Sequence, residues 1–439
     1  MSRQESEGAR RPSPRRGEDD GGQSNRRQER WQDEAPAPKG GRLLLWPVAF
    51  AVVALLGVGG FALWRHFSAP EPVEAEQVEK RSPYVLDERQ ENKVERLLAD
   101  LTLEQKVAQL FVVRPESITG VGQALAAGDA TREALEKYPV GGICYFSQNL
   151  ESPKQTREMI RNSQNYAKDI CGLPLFACVD EEGGSVARVA SNATFGVRDV
   201  GPMLDVGTTG DPEEAYDAAR TIGSYLSDLG FNVDFAPVAD IVTSEGSALY
   251  GRSFGTDAEL VSKMVVAQVE GFSREGILSA AKHFPGIGAA EGDSHEGSIY
   301  SSRTVGQMRK WELVPFDAAI DARVPMIMVS HLSCLGLGEE SSDLPASLSA
   351  DVIQSLLRDE MGYDGLVITD SLEMGALDGV CEPDEQGVLA IQAGADLVLM
   401  PKDFEQAYRG LLGAVRSGRL QESRIDESVR RVIRAKLTL

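Results

Sequence analysis

From about residue 91 to the C-terminus, short apolar runs alternate with longer amphipathic stretches. The runs are Val107–Val113, Val140–Phe146, Leu173–Asp180, Phe231–Asp240, Ile277–Gly286, Pro325–His331, Gly365–Ser371 and Ala395–Met400. Between them, apolar positions recur at helical spacing, for example over Ser152–Ile170, Glu213–Leu229, Asp257–Glu275, Val305–Asp321, Ser349–Met361 and Phe404–Val415. Strand-length runs separated by helices predict βαβ units and a parallel sheet. Eight such runs within 91–439 predict an α/β fold, a (β/α)8 TIM barrel with long loops. The alternative, an open doubly wound sheet, lacks its strongest signal, because no G-x-G-x-x-G follows the first run. A last helix is expected near Glu422–Thr438, leaving no room for a second catalytic domain.

One segment breaks this rhythm. Leu43–Trp64 is 22 residues long, almost wholly apolar and uncharged. At roughly 1.5 Å per residue it makes a helix of about 33 Å, enough for a hydrocarbon core of about 30 Å. Pro47 falls near its first turn, where a missing N–H matters little. A cleaved signal peptide or a buried helix would be the alternatives. The run exceeds a signal h-region of about 7–15 residues, and a long hydrophilic tail precedes it. An uncleaved transmembrane anchor is therefore expected.

Lys39 and Arg42 abut one end of this segment, while Glu71, Glu74, Glu76 and Glu79 follow the other. Arg65, Lys80 and Arg81 weaken the contrast. The positive-inside rule still favours a cytoplasmic N-terminus and an extracytoplasmic C-terminal domain at the cell membrane. Residues 1–42 are rich in Arg, Gly, Pro, Gln and Ser, too polar to bury a core, and read as a disordered tail. Residues 65–90 read as a polar stalk, and 91–439 as the folded domain.

The tail carries ten Lys/Arg and eight Asp/Glu, so the chain's net charge of −22 leaves −24 on everything after it. Such a domain repels phosphates and is a poor nucleic-acid binder. The five cysteines, Cys144, Cys171, Cys178, Cys334 and Cys381, are odd in number and scattered. They give no disulfide framework, although Cys171 and Cys178 could pair in an oxidising compartment. No Cys/His spacing resembles a zinc site.

Barrel enzymes place their chemistry at the C-terminal ends of strands and in the loops that follow. There this chain concentrates its unusual residues: Asp180 with Glu181-Glu182-Gly183-Gly184, Asp240, Gly251-Arg252-Ser253-Phe254-Gly255, Lys282-His283-Phe284-Pro285-Gly286, Asp293-Ser294-His295, His331 and Thr369-Asp370-Ser371. Of four histidines, three lie at these positions. Glycoside hydrolysis needs a carboxylate nucleophile or base and a proton donor to the leaving oxygen. Asp370 fits the first role, although an Asp at such a junction is also a common helix N-cap. His295 fits the second, since imidazole both donates and accepts near neutral pH. Asp293 is placed to orient it and raise its pKa; the alternative is a turn cap in a polar loop. Lys282, His283, Arg188 and Arg252 can donate to sugar hydroxyls. Burying such charges requires partners, and Asp180 and Asp240 are available.

These motifs resemble glycoside hydrolase family 3. Lys282–Gly288 followed by Asp293-Ser294-His295 is similar to K-H-F-P-G-H-G then D-S-H of its β-N-acetylglucosaminidase branch. Asp180–Arg188 resembles D-Q-E-G-G-R-V-Q-R, Gly251–Gly255 resembles G-R-S-F-G, and Val367–Met374 resembles V-(I/F)-T-D-(S/D)-L-x-M. The resemblance covers roughly 91–439. It implies a TIM barrel and a retaining double displacement on a terminal N-acetylglucosamine of peptidoglycan fragments or chitin oligosaccharides. In it Asp370 is the nucleophile, His295 the acid and base, and Asp293 its orienting partner. Asp180, Arg188, Arg252, Lys282 and His283 bind the non-reducing sugar. No metal or organic cofactor is implied. Three departures stand out: Ile287 replaces the second His, Ser185 replaces the Arg after Gly-Gly, and Ala289-Ala290 replace Asp-Thr. Phosphorolysis, a β-glucosidase or β-xylosidase specificity, and a non-catalytic membrane-tethered glycan binder are the competing readings.

Overall fold

The computed structural model describes residues 78–290, 297–336 and 344–439. Eight parallel strands carry the fold: β1 Phe111–Val113, β2 Gly142–Cys144, β3 Phe176–Val179, β4 Val233–Asp234, β5 Leu278–Phe284, β6 Met326–Val329, β7 Leu366–Thr369 and β8 Val398–Leu399. They lie side by side in chain order, and β8 returns to pair with β1, Val398 opposite Phe111. Between β7 and β8 the ladder is reduced to one bridge, Ile368 with Leu397, and a bond from the Thr369 N–H to the Leu397 carbonyl at 3.1 Å. The result is a nearly closed, TIM-barrel-like sheet.

A helix follows each strand: α1 Asp129–Lys137, α2 Pro153–Cys171, α3 Pro212–Leu229, α4 Ala258–Arg274, α5 Val314–Asp321, α6 Asp351–Glu360, α7 Pro383–Ala393 and α8 Phe404–Arg416. Their starts are written locally. Ser152, Asp211, Asp257 and Asp403 each accept a backbone N–H of the first turn, which satisfies a donor the helix cannot. The stretch Val305–Asp321, expected as one helix, is two pieces, Val305–Met308 and Val314–Asp321. Pro315 lacks the N–H that an uninterrupted helix would need, and the second piece starts around it.

Period-two alternation sorts the strand residues between two layers. Phe176, Cys178, Val233, Phe235, Met326, Met328, Leu366 and Ile368 fill the barrel interior. Ala177, Val179, Ile327 and Val367 pack outward with the helices. This double burial explains why the strands read as unbroken apolar runs. The first run differs from expectation: Val107 belongs to the helix Leu103–Ala108, and the strand begins only at Phe111. A buried helical turn and a buried strand look alike over a few apolar residues.

The N-terminal end of the barrel is sealed. Tyr84 packs among the interior residues and donates its hydroxyl to the Pro325 carbonyl at 2.6 Å. The Arg81 N–H donates to the Gly362 carbonyl at 2.7 Å. Residues 78–90 are therefore docked on the barrel, and a capped helix, Glu88–Asp100, starts within the stretch read as stalk. Buried Asp396 is held below its ordinary pKa: burial opposes ionisation, but Arg358, Arg431 and Arg424 outweigh it. The C-terminal helix Glu422–Lys436 adds Val432 and Ala435 to the interior cluster. The tail 1–42 and the apolar segment 43–64 lie outside the described residues, as do Asp293 and His295. Among the described residues no helix is long and apolar enough to cross a membrane. All five cysteines are free.

Candidate active site

At the opposite, C-terminal end, the strands deliver charged side chains into one cavity of about 510 Å³. After β3 the chain makes a short antiparallel hairpin, Glu181–Gly183 with Val186–Ala187. Gly183 and Gly184 take positive φ, 94° and 56°, at its turn. A Cβ on Gly183 would lie 2.7 Å from the Gly201 carbonyl oxygen, so this turn needs glycine for both conformation and space. The hairpin sets Asp180, Glu182 and Arg188 in the cavity wall.

Glu182 is buried between two cations. Arg252 grips it with Nε and Nη2, both at 2.7 Å, and Lys282 Nζ lies 2.6 Å away. Lys282 also reaches Asp180 at 2.8 Å. Burial alone would raise the Glu182 carboxyl, but Lys282 and Arg252 overcome it and hold it at about 2. Burial would lower Lys282, yet Asp180 and Glu182 push it up to about 12. Glu182, Lys282 and Arg252 therefore stay charged across the physiological range, and the contacts among these three and Asp180 fix one another's geometry.

His283 is anchored beside them. Its Nδ1 lies 2.6 Å from Asp240 Oδ2, and the same oxygen accepts the His283 backbone N–H at 3.1 Å. Asp240 Oδ1 accepts the Ile287 N–H at 2.7 Å. Because a carboxylate only accepts, Nδ1 carries a proton, which directs Nε2 toward Arg252 at 3.4 Å and the cavity.

Asp370 follows β7 and faces the same cavity. Its Oδ1 accepts the Ser371 N–H at 2.7 Å, and its own N–H donates to the Val329 carbonyl at 2.8 Å. Enclosure by protein would raise its pKa, but His283, His331, the Ser371 N–H and Lys282 bring it below the ordinary carboxylate value. It is thus an ionised carboxylate facing the cavity, and among the described residues it has no ion pair to give up before attacking an electrophile.

Of the residues proposed from sequence, Asp180, Arg188, Arg252, Lys282, His283 and Asp370 line this one cavity. Asp293 and His295 fall outside the described residues. Ala290 and Ile299, on either side of them in the chain, both line the cavity. His331 does not; its Nε2 donates to the Ser371 carbonyl at 2.8 Å and its Nδ1 lies 2.8 Å from the Ser347 hydroxyl, so it supports the turn after Asp370. Several wall residues had no assigned role in the sequence. Glu182 is one; Arg114, paired with Glu373 at 2.6 Å and stacked on Phe146 at 4.7 Å from the ring centre, is another. Two buried cations demanding carboxylates were the available signal for Glu182. Among the described residues, no cluster of His, Cys, Asp and Glu is arranged to hold a metal ion.

A family model described as "Glycosyl hydrolase family 3 N terminal domain" matches residues 102–435. The chain is 32% identical over 329 residues to "Beta-hexosaminidase A" of Pseudoalteromonas piscicida, covering 70% of this chain and 55% of that one. It is 33% identical over 346 residues to "Beta-hexosaminidase LpqI" of Mycobacterium tuberculosis, covering 76% and 82%. Among solved structures, a glycoside hydrolase family 3 beta-N-acetylglucosaminidase from Paenibacillus sp. str. FPU-7 superposes with a TM-score of 0.72 at 39% identity, over 77% of this chain and 62% of that one. The chain thus spans little more than half the length of the Pseudoalteromonas and Paenibacillus relatives.

Proposed function

Because the chain belongs to glycosyl hydrolase family 3, we propose that it is an exo-acting, retaining β-N-acetylglucosaminidase that removes terminal GlcNAc from peptidoglycan fragments or chitooligosaccharides. The observation that carries this reading is Asp370: an ionised carboxylate at the end of β7, facing a cavity walled by Asp180, Arg188, Arg252, Lys282 and His283. The names of the relatives, beta-hexosaminidase and beta-N-acetylglucosaminidase, support the choice of sugar.

In this mechanism an Asp370 oxygen attacks the anomeric carbon. The bond from that carbon to the aglycone oxygen breaks, and His295 gives that oxygen its proton. A water then loses a proton to His295, attacks the same carbon and displaces Asp370. Two displacements return the original configuration. Asp293 orients His295. Asp180 and the fixed cations hold the sugar's hydroxyls, so substrate arrives at a preorganised surface. Charge pairs that are already formed need no rearrangement when the sugar binds.

Release of p-nitrophenol from the β-GlcNAc and β-glucose aryl glycosides tests the proposal, with Asp370→Asn as control. Turnover of the GlcNAc compound alone, abolished in the variant, supports it. Preference for glucose overturns the sugar assignment. A rate that depends on phosphate and yields a sugar phosphate replaces hydrolysis with phosphorolysis.

The 22-residue apolar run 43–64 supports a second part of the proposal, that this domain is tethered outside the cytoplasm. Protease added to intact cells should then remove the activity; protection until lysis would reverse the topology.

A further inference from the structure

The hairpin that presents Asp180, Glu182 and Arg188 is clamped from behind by a carboxylate that is absent from the cavity wall. Glu181 is fully buried. Its two oxygens accept the Val189 N–H at 2.8 Å, the Ala190 N–H at 2.8 Å and the Tyr225 hydroxyl at 2.8 Å. Its own N–H donates to Asp234 Oδ1 at 2.9 Å. The side chain therefore ties the start of the hairpin to the residues just beyond its end, and Tyr225 and Asp234 tie it to α3 and β4.

The consequence reaches past the hairpin. Asp180 precedes Glu181 and Glu182 follows it, while Arg188 precedes the two captured amides. Glu182 in turn holds Arg252 and Lys282. One buried carboxylate thus fixes the position of three cavity residues directly and two more through Glu182.

We propose that Glu181 is a positioning residue that sets the affinity of this cavity for its sugar without touching it. The idea rests on the reading of the cavity as a GlcNAc site. An acceptor with only carboxylate chemistry suits the place, because all three side-chain partners are donors. Alanine would leave the buried Val189 N–H and the half-buried Ala190 N–H without this acceptor. The hairpin would then relax, moving Asp180 and Arg188 away from the hydroxyls they meet. Displacements of about 1 Å in such groups change rate or affinity by up to about 10²-fold.

The experiment compares full-length wild type, Glu181→Ala and Tyr225→Phe by calorimetric titration with free GlcNAc and with glucose. Thermal unfolding and amide exchange of the 180–190 segment are followed in the same samples. Expected are binding weaker by roughly 10- to 100-fold in Glu181→Ala, a smaller loss in Tyr225→Phe, and faster exchange at 180–190 at temperatures where both variants are folded. Two results overturn the proposal. One is unchanged affinity in folded Glu181→Ala. The other is a loss that disappears once trimethylamine N-oxide restores the variant's stability, which would reduce Glu181 to a structural role. Wild type that binds glucose in place of GlcNAc refutes the sugar assignment but leaves the affinity ratio as the test. Wild type that binds neither sugar defeats both readings.

Discussion

Replacing Glu182 by Gln removes the carboxylate that Arg252 and Lys282 share, while keeping the side chain's shape. The magnitude follows from linkage. The carboxyl titrates at about 2 in the folded protein against an ordinary 4.5. At about 1.36 kcal/mol per unit, this difference of roughly 2.5 units corresponds to about 3 kcal/mol. Breaking a buried ion pair from one side costs about 3–5 kcal/mol by an independent route, because the stranded cations remain buried. The sign is fixed by the direction of the shift. The folded pKa is depressed, so the stabilisation is fully present above pH 4.5 and is lost as pH falls toward 2. Urea unfolding of wild type and Glu182→Gln should therefore differ by about 3 kcal/mol at pH 7 and by roughly half that at pH 3. Equal stability at pH 7, or a difference that does not shrink with acid, would refute the view that this pair holds the cavity's charges in place.

Other consequences can be checked alongside. His295→Ala should slow glycosides with poor leaving groups more than activated aryl glycosides, because a good leaving group needs less proton donation; equal slowing of both would remove His295 from the acid role. Lys436 is buried, with its Nζ 2.7 Å from Gln109 Oε1, and burial lowers its pKa from 10.5 to about 7. The unfolded chain then binds up to one more proton between those values, so stability should rise with pH from 7 to 10 by roughly 3–4 kcal/mol. Lys436→Met should lose that slope in pH-dependent unfolding, and an unchanged slope would show that Lys436 is charged in the folded protein.

The barrel was legible in the sequence because its strands are buried on both faces. Runs such as Gly365–Ser371 carry no charged position until the chain leaves the sheet at Asp370. That same exit made the nucleophile candidate visible. What could not be read was direction. Glu181 and Glu182 are adjacent carboxylates, and only the strand's alternation sends one back toward Val189 and Ala190 and the other to Arg252, 70 positions away. Arg114 follows β1 as an isolated charge, and its pairing with Glu373 is a tertiary fact with no local signature. The docked segment 78–90 was hidden for the opposite reason. Its composition is that of a linker, and what secures it to the barrel is tertiary: Tyr84 packed into the interior and Arg81 bonded to the Gly362 carbonyl.

The central claim, that Asp370 forms a bond to the sugar, is tested most directly by trapping that bond. The protein would be treated with a slow fluorinated GlcNAc glycosyl fluoride, digested and mapped by mass spectrometry. The account predicts one added glycosyl group, on the peptide containing Asp370, and none in Asp370→Asn. A label on another carboxylate, or an unlabelled enzyme that releases product of inverted configuration, would contradict it.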